Sequence, residues 1–546
     1  MVLDYNNLSS EYTKRLNEIA NEIKGHYTSA VDDYCRKYGD NYLFWATPFV
    51  SRNIYNDNTF LHICRVVLAN ELISHGEVDK IVTQTRGEYR TLKCLLPGNI
   101  GLYCSEKKKL LKSACNAIDR WRHFFYYLKR HMAYIKYAGN EGFKYPGDCA
   151  VVVGPAISTD FDGYHFNDRY TTGITGYNKI LFIPYLVNTR NIPHKVFFDR
   201  IKNCDNYDFL NDRDILRGLD VLEILKYWRY INKIKNDSFS YKNLDISPIV
   251  KQSLERGKNC SPSFDALVLR KTLQRLAIKR PDIGSFVQWY EGKPFDVVVS
   301  TTIRECFPGA MCVGYEGYPL PENNLGGFIS EYQYRSGHAP THMAIPSREY
   351  EQDAHQFCKD VQLLYVPIIR NEYVLRSKEQ SQNTQKTILV LLAYTTEFSV
   401  ELLRGVREYI RGKEDSYHVL IKNHPTNDGF TLKNYGLAED FDVRYVKGKL
   451  TDCLQDVDVV VTTMTSGTLE VLYAGIPLVI LYLRGQLGYT AIPKSVRNKL
   501  CSVVYSREEI CVALSETLAK NSPDNSILEG LLVPNTRENV LAMFRR

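Results

Sequence analysis

The chain has 546 residues, 44% of them hydrophobic and 24% charged, with a net charge of +7. That length predicts about two to four domains, and the composition excludes a disordered chain. So small and dispersed a positive surplus gives no case for nucleic acid, while it suits an anionic ligand or a membrane surface. Fourteen cysteines occur without one Cys-x-x-Cys pair, and several, such as Cys149 and Cys312, lie in or beside apolar runs, as reduced core thiols do. The first residues are polar almost at once and no uncharged run reaches membrane-spanning length. The expectation is a cytoplasmic protein, peripheral at most at the inner face of the membrane.

In chain order, short apolar strands are predicted at Tyr42–Thr47, Lys80–Thr85, Cys149–Gly154, Ile180–Leu186, Ser285–Tyr290 and Met311–Tyr315. Two insert-like regions interrupt them. One, Ser105–Gly139, is helical and basic; the other, Phe197–Ser261, contains a helical period over Leu216–Ile234. The polar, patternless stretch Arg376–Gln385 reads as a linker. Beyond it strands at Thr387–Tyr394, Tyr417–Lys422, Asp442–Val446, Asp458–Thr462, Pro477–Tyr482 and Cys501–Tyr505 alternate with helices at Phe398–Ile410, Leu450–Gln455, Thr468–Ala474 and Arg507–Lys520. That alternation predicts a doubly wound parallel sheet. The division is therefore an α/β N-terminal lobe over 1–375, with helical inserts at about 105–139 and 197–261, and a second Rossmann-like lobe over 386–546.

The 105–139 insert mixes Lys107–Lys109, Lys112, Arg120, Arg122, Lys129, Arg130 and Lys136 with Trp121, Phe124, Phe125, Tyr126 and Tyr127. Two readings stay open. The helix docks on an anionic membrane face, or it packs one aromatic face and exposes one basic face to water.

The densest chemistry lies in Tyr417-His-Val-Leu-Ile-Lys-Asn-His-Pro425 and in the run from Asp458 to Tyr482. Lys422 and His424 fall at the end of a strand that Pro425 closes, the edge at which open parallel sheets bind ligands. Thr462, Thr463, Thr465, Ser466 and Thr468 surround Gly467 at a helix start, where hydroxyls and free N–H groups together form an anion site. A capped helix without a ligand would account for one of those hydroxyls, not five. Glu470, one turn in, also suits the helix dipole. In the N-terminal half Glu291 and Glu316 each sit in Tyr-Glu-Gly at the end of a predicted strand, and Asp160 and Asp162 follow another. Each carboxylate is a candidate general base, taken in the order Glu291, Asp162, Glu316, against the alternative of a turn or ion-pair residue. Arg52, with Asn53, is placed at the cleft, where it would clamp a sugar carboxylate or else pair within the protein.

The His-Pro dipeptide after a strand, with the Thr/Ser-Gly loop before a late helix, resembles the GT-B glycosyltransferases of bacterial surface polysaccharides. Among them the likeness is to enzymes using CMP-activated acidic sugars of the Kdo and sialic-acid type. Tyr42-Leu-Phe-Trp-Ala-Thr-Pro-Phe-Val-Ser-Arg-Asn53 and Trp289-Tyr-Glu-Gly-Lys-Pro294 resemble a surface-carbohydrate-biosynthesis family. Asp160-Phe-Asp-Gly163 resembles the acidic base motif of bacterial sialyltransferases. The resemblance implies two Rossmann-like lobes across a cleft, and an inverting transferase needing neither metal nor cofactor. Its donor would be a CMP-sugar and its acceptor a glycan or lipid-linked glycan. It places His424, Thr465 and Ser466 on the donor phosphate and Glu470 on the ribose. A UDP-sugar or CDP-glycerol transferase, a sugar-nucleotide epimerase and a non-catalytic two-lobed binding module stay open.

Overall fold

The computed structural model describes residues 1–106, 110–138, 149–157, 160–168, 180–187, 193–210, 215–369, 385–393, 395–427, 429–437, 441–493, 497, 499–519, 528 and 530–544. The basic run at 107–109 and positions 376–384 of the expected linker lie outside them.

Three parallel sheets organise these residues. A small one pairs β1 (Val2–Asp4), β2 (Lys80–Thr83) and β3 (Gly101–Cys104) in that order. The N-terminal lobe then adds β4 (Ala150–Ile157), a hairpin of β5 (Phe161–Asp162) and β6 (His165–Phe166), β7 (Ile180–Val187) and β8 (Asp208–Phe209). A second hairpin, β9 (Ser240–Tyr241) with β10 (Leu244–Asp245), precedes β11 (Ser285–Trp289), β12 (Met311–Tyr315), β13 (His342–Ile345) and β14 (Gln362–Tyr365). Seven of these form one sheet in the order β14-β13-β12-β11-β4-β7-β8. The C-terminal sheet holds β15 (Lys386–Leu391), β16 (Tyr417–Lys422), β17 (Arg444–Tyr445), β18 (Val459–Thr462), β19 (Leu478–Leu481) and β20 (Cys501–Val504), ordered β17-β16-β15-β18-β19-β20.

Both large sheets obey one rule. Three strands are laid outward, and the chain then restarts beside the first and runs the other way. The reversal falls between β4 and β11 in one lobe and between β15 and β18 in the other, the positions at which doubly wound sheets open a ligand crevice. Every residue of β11 and of β18 is buried, and β18 accordingly reads as a β-branched run, while β11 buries Ser285 and Gln288 among its apolar residues.

Two expectations need correction. Tyr42–Thr47 is not a strand: Tyr42–Trp45 is a helical turn, capped by the Asn41 side chain accepting from Leu43 N at 3.0 Å, and Pro48–Ser51 starts another. Phe44 and Trp45 are both buried, so the short run carries no period to tell strand from helix. Leu450–Gln455 yields only the 3-10 turn Thr451–Cys453.

The small sheet and the long helix Ser10–Tyr38 form a clamp on the other lobe. The loop after β19 gives Gly485 N to Thr13 Oγ1 at 3.0 Å and Gly488 N to Asn17 Oδ1 at 2.7 Å. Arg65 donates through Nη2 to Gly485 O at 2.7 Å and through Nη1 to Glu88 at 3.1 Å, while His62 Nδ1 meets the same carboxylate at 2.8 Å. Arg65 and Glu88 are wholly buried. Burial opposes a charge on Glu88, but His62, Arg65 and the backbone N–H of Thr85 outweigh it and hold its pKa down to about 2. A tail returns the other way. Val540, Met543 and Phe544 pack with Phe161, Phe182 and Phe197 in the core of the N-terminal lobe.

Candidate active site

Glu291 and Glu316 stand at the carboxyl ends of neighbouring strands. β11 and β12 pair with Trp289 opposite Tyr315, and Tyr290 N donates to Tyr315 O at 3.0 Å, so the two tips leave the sheet side by side. Each tip turns on a left-handed glycine, Gly292 (φ +69°) and Gly317 (φ +70°). At Gly292 a Cβ would lie 1.7 Å from Gly326 O, and at Gly317 one would lie 2.8 Å from the Trp289 ring. Gly292→Ala is therefore expected to cost at least about 2 kcal/mol, read as a fall in thermal stability, because strain and clash act together.

Glu291 is nearly buried. It accepts from Trp289 Nε1 at 2.7 Å and is ion-paired with Lys293. Burial would favour its neutral form, but Lys293 wins and keeps the carboxyl below its ordinary value. Asn53 Nδ2 holds the tip by donating to Glu291 O at 2.8 Å. Asp296 accepts from Glu291 N at 2.8 Å and from Lys293 N at 2.9 Å, capping the helix Pro294–Cys306 from its own first turn. Burial, offset by Lys293 and reinforced by the charge of Glu291, pushes Asp296 up to about 7. Glu316 is buried too, and burial first, then the charge of Glu291, raise its pKa well above the ordinary range. The two neighbouring carboxyls are thus pushed in opposite directions, Glu291 toward the ionised form by Lys293 and Glu316 toward the neutral form by burial.

Tyr318 ties this cluster to the opposite lobe. It is within electrostatic reach of both carboxyl groups, and its ring packs against the cluster of Ile368, Ala491 and Leu469, the last on the helix Gly467–Tyr473. A second bridge runs from Met464, whose sulfur accepts from Tyr489 N at 2.9 Å, to the Tyr489 ring and on to Tyr55 at 6.5 Å. Tyr55 is within electrostatic reach of Glu291 and Glu316.

On the C-terminal side the hydroxyl loop follows β18 and His424 follows β16, with β15 between them. The two tips are therefore two strand spacings apart, about 10 Å. Lys422 donates to Gly448 O at 2.6 Å; His424 is half-buried, and its carbonyl accepts from Asn427 N at 2.8 Å in the 3-10 turn begun by Pro425. The loop spends much of its polarity on itself. Thr462 donates to Leu391 O at 2.9 Å, Thr468 to Thr465 O at 2.7 Å, and Thr465 Oγ1 accepts from Gly467 N at 3.4 Å. Thr463 is buried. Ser466 is half-buried at the N-cap with no capping bond from its side chain. Gly467 is explained by packing, since a Cβ there would meet Leu450 at 3.0 Å and Leu391 at 3.1 Å. Glu470 is half-buried one turn further on.

Two sequence candidates fall elsewhere. Arg52 is 2% exposed and left-handed (φ +53°); it donates to Phe328 O at 3.2 Å and to Gln333, inside its own lobe. The correction follows from the helix Pro48–Ser51, which turns the arginine inward. Asp162 is exposed on the β5–β6 hairpin, which Phe161 and Phe166 anchor in an aromatic cluster, and Asp160 is half-buried before it. Lys293, Asp296 and Tyr318 were not singled out from the sequence. The available signal was Gly-Lys-Pro at a strand–helix junction with an acidic residue in the first turn.

No protein-family model matches the chain, and no curated protein does. Among solved structures it is similar to the UDP-GlcNAc 2-epimerase of Methanocaldococcus jannaschii, crystallised with UDP-GlcNAc and UDP, at 12% identity and a TM-score of 0.40, over 70% of this chain and 97% of that one. The glycotransferase of kitacinnamycin gives 13% and 0.38, over 73% and 96%. The trehalose 6-phosphate synthase of Burkholderia multivorans gives 11% and 0.37, over 73% and 94%. Likeness at that level says nothing of what this chain binds. On its own geometry the chain has a GT-B-like arrangement, two Rossmann-ordered lobes whose sheets meet near their carboxyl ends through Tyr318 and Leu469.

Proposed function

We propose that this chain is a nucleotide-sugar glycosyltransferase. It would move an acidic sugar, Kdo or a nonulosonate, from a CMP donor to a surface glycan or lipid-linked glycan, with inversion and without a metal. The observation that carries the reading is the Glu291–Lys293 pair at one sheet edge, linked through Tyr318 to the helix that opens from the hydroxyl loop of the other. The donor base rests on the sequence resemblance alone.

In this mechanism Glu291 takes the proton from an acceptor hydroxyl as its oxygen bonds to the anomeric carbon. The bond from that carbon to the phosphate oxygen breaks on the opposite face, and the electron pair leaves with the nucleotide. His424, Lys422 and the N–H groups at Ser466 and Gly467 are the groups assigned to the departing phosphate, with Thr465 and Thr468 shaping the loop and Glu470 assigned to the ribose. Pro425 ends the strand so that His424 stands at its tip.

Thermal unfolding against CMP, CDP, UMP, UDP and GDP, without metal, tests this reading. CMP alone is expected to raise the melting temperature, with saturation at 100 Kd adding about 2.7 kcal/mol of stability. Ser466→Ala should weaken that shift. A shift with UDP instead overturns the CMP assignment in favour of a hexose transferase or an epimerase. Silence from all five overturns the donor site and favours a binding module.

A further inference from the structure

The described side chains of the helix Leu110–Ala138 divide into an inward and an outward face. Tyr127 and Arg130 point inward, Arg130 pairing with Asp265 at 3.5 Å. On the outer side Ile118, Trp121, Phe125 and Met132 are 59%, 49%, 58% and 55% exposed. At 100° per residue these four fall within an arc of about 60°, opposite Tyr127. Arg122 and Lys129, both exposed, lie along one border of that arc. Asp119 is the single acidic residue of the helix against six lysines and arginines. The stripe is extended by its neighbours. The 3-10 turn Gly218–Leu222 packs on this helix with Leu219 77% exposed, and His194–Lys202 packs on it with Val196 also exposed.

We infer that this face docks the protein on an anionic lipid bilayer, with Trp121 and Phe125 entering the headgroup layer and Arg122 and Lys129 meeting lipid phosphates. Water does not repay exposure of a tryptophan, a phenylalanine, an isoleucine and a methionine along one line, whereas an interface does. The basic border selects the sign of the surface. It also disfavours a second copy as the occupant, because a twofold contact would bring Arg122 and Lys129 against their own equivalents. Among the described residues no helix is long and apolar enough to cross a membrane, so the contact is made from one side. The inference holds whichever nucleotide the cleft accepts.

The test is sedimentation of the full chain with phosphatidylcholine vesicles and with vesicles containing phosphatidylglycerol. The protein should pellet with the second and not the first, and salt should release it. Trp121→Ser with Phe125→Ser, and separately Arg122→Glu with Lys129→Glu, should each weaken binding by about tenfold or more while the melting temperature is kept. Should the apolar pair fail to fold, the charge pair still decides. Wild-type protein that stays in the supernatant with both vesicles overturns the proposal, as does a folded charge variant that binds like wild type. So does a wild-type dimer that the apolar variant converts to monomer without any vesicle binding. Nucleotide shifts on the same samples separate this failure from failure of the transferase reading.

Discussion

Glu291→Gln is expected to lower kcat for sugar transfer by about 10²- to 10⁴-fold while leaving the nucleotide-induced thermal shift in place. The amide keeps the shape and can still accept from Trp289 Nε1, but it cannot take a proton. It also leaves the half-buried Lys293 beside a neutral group, so stability must be read alongside activity. The combination with Lys293→Met removes that stray charge. If the double variant is stable and equally inactive, the loss belongs to the chemistry rather than to the fold. Glu316→Gln sharpens the comparison. Burial and the charge of Glu291 favour the neutral form of its carboxyl, so an amide should be tolerated within a few-fold. Full activity in Glu291→Gln, or inactivity only in Glu316→Gln, would remove Glu291 from the role of base.

The second large effect concerns stability. Arg65→Ala should destabilise the protein by about 3–5 kcal/mol, because it strands a buried carboxylate and frees a loop carbonyl of the other lobe. Urea and thermal unfolding followed by two probes would show the loss; coincident transitions are not required of a chain with several units. The acid limb gives an independent signature. The folded pKa of Glu88, about 2, lies below its unfolded value of 4.5. Its contribution is therefore complete above pH 4.5 and is lost as pH falls toward 2, the unfolded chain binding the proton first. Glu88→Gln should be less stable at neutral pH and show a flatter acid limb. An unchanged acid limb would mean that the buried cluster does not govern acid unfolding.

The C-terminal lobe was legible because its central strands β15, β18 and β19 are covered on both faces and read as apolar runs. In the N-terminal lobe β4, β7, β11 and β12 were legible as buried strands, and β2 as the short run from Lys80. β13 and β14 escaped because His342 and Gln362 give them half-polar edges, and β3 because Gly101 opens it. Around the cleft, the two Tyr-Glu-Gly tips could be read from glycine placement, since both need a left-handed turn. That they emerge side by side could not. It depends on which strands pair, and with it go the opposite shifts of Glu291 and Glu316 and the packing of Tyr318 against the cluster of Leu469. The partners of the loop hydroxyls could not be read from composition: Thr462 donates to Leu391 O on the neighbouring strand and Thr468 to Thr465 O within the loop. Arg52 takes the second of its two readings, paired within the protein, because the aromatic run before it is helical rather than a strand.

The returning tail has a consequence for biosynthesis. Val540, Met543 and Phe544 complete the aromatic core around Phe161, Phe182 and Phe197, yet they leave the ribosome only after the whole C-terminal sheet. The lobe made first is thus finished last, and the usual advantage of folding each domain as it is synthesised is denied to it. Until then its aromatic surface is open to wrong partners, so a nascent chain of this protein should depend on holdase chaperones longer than its first lobe alone would suggest.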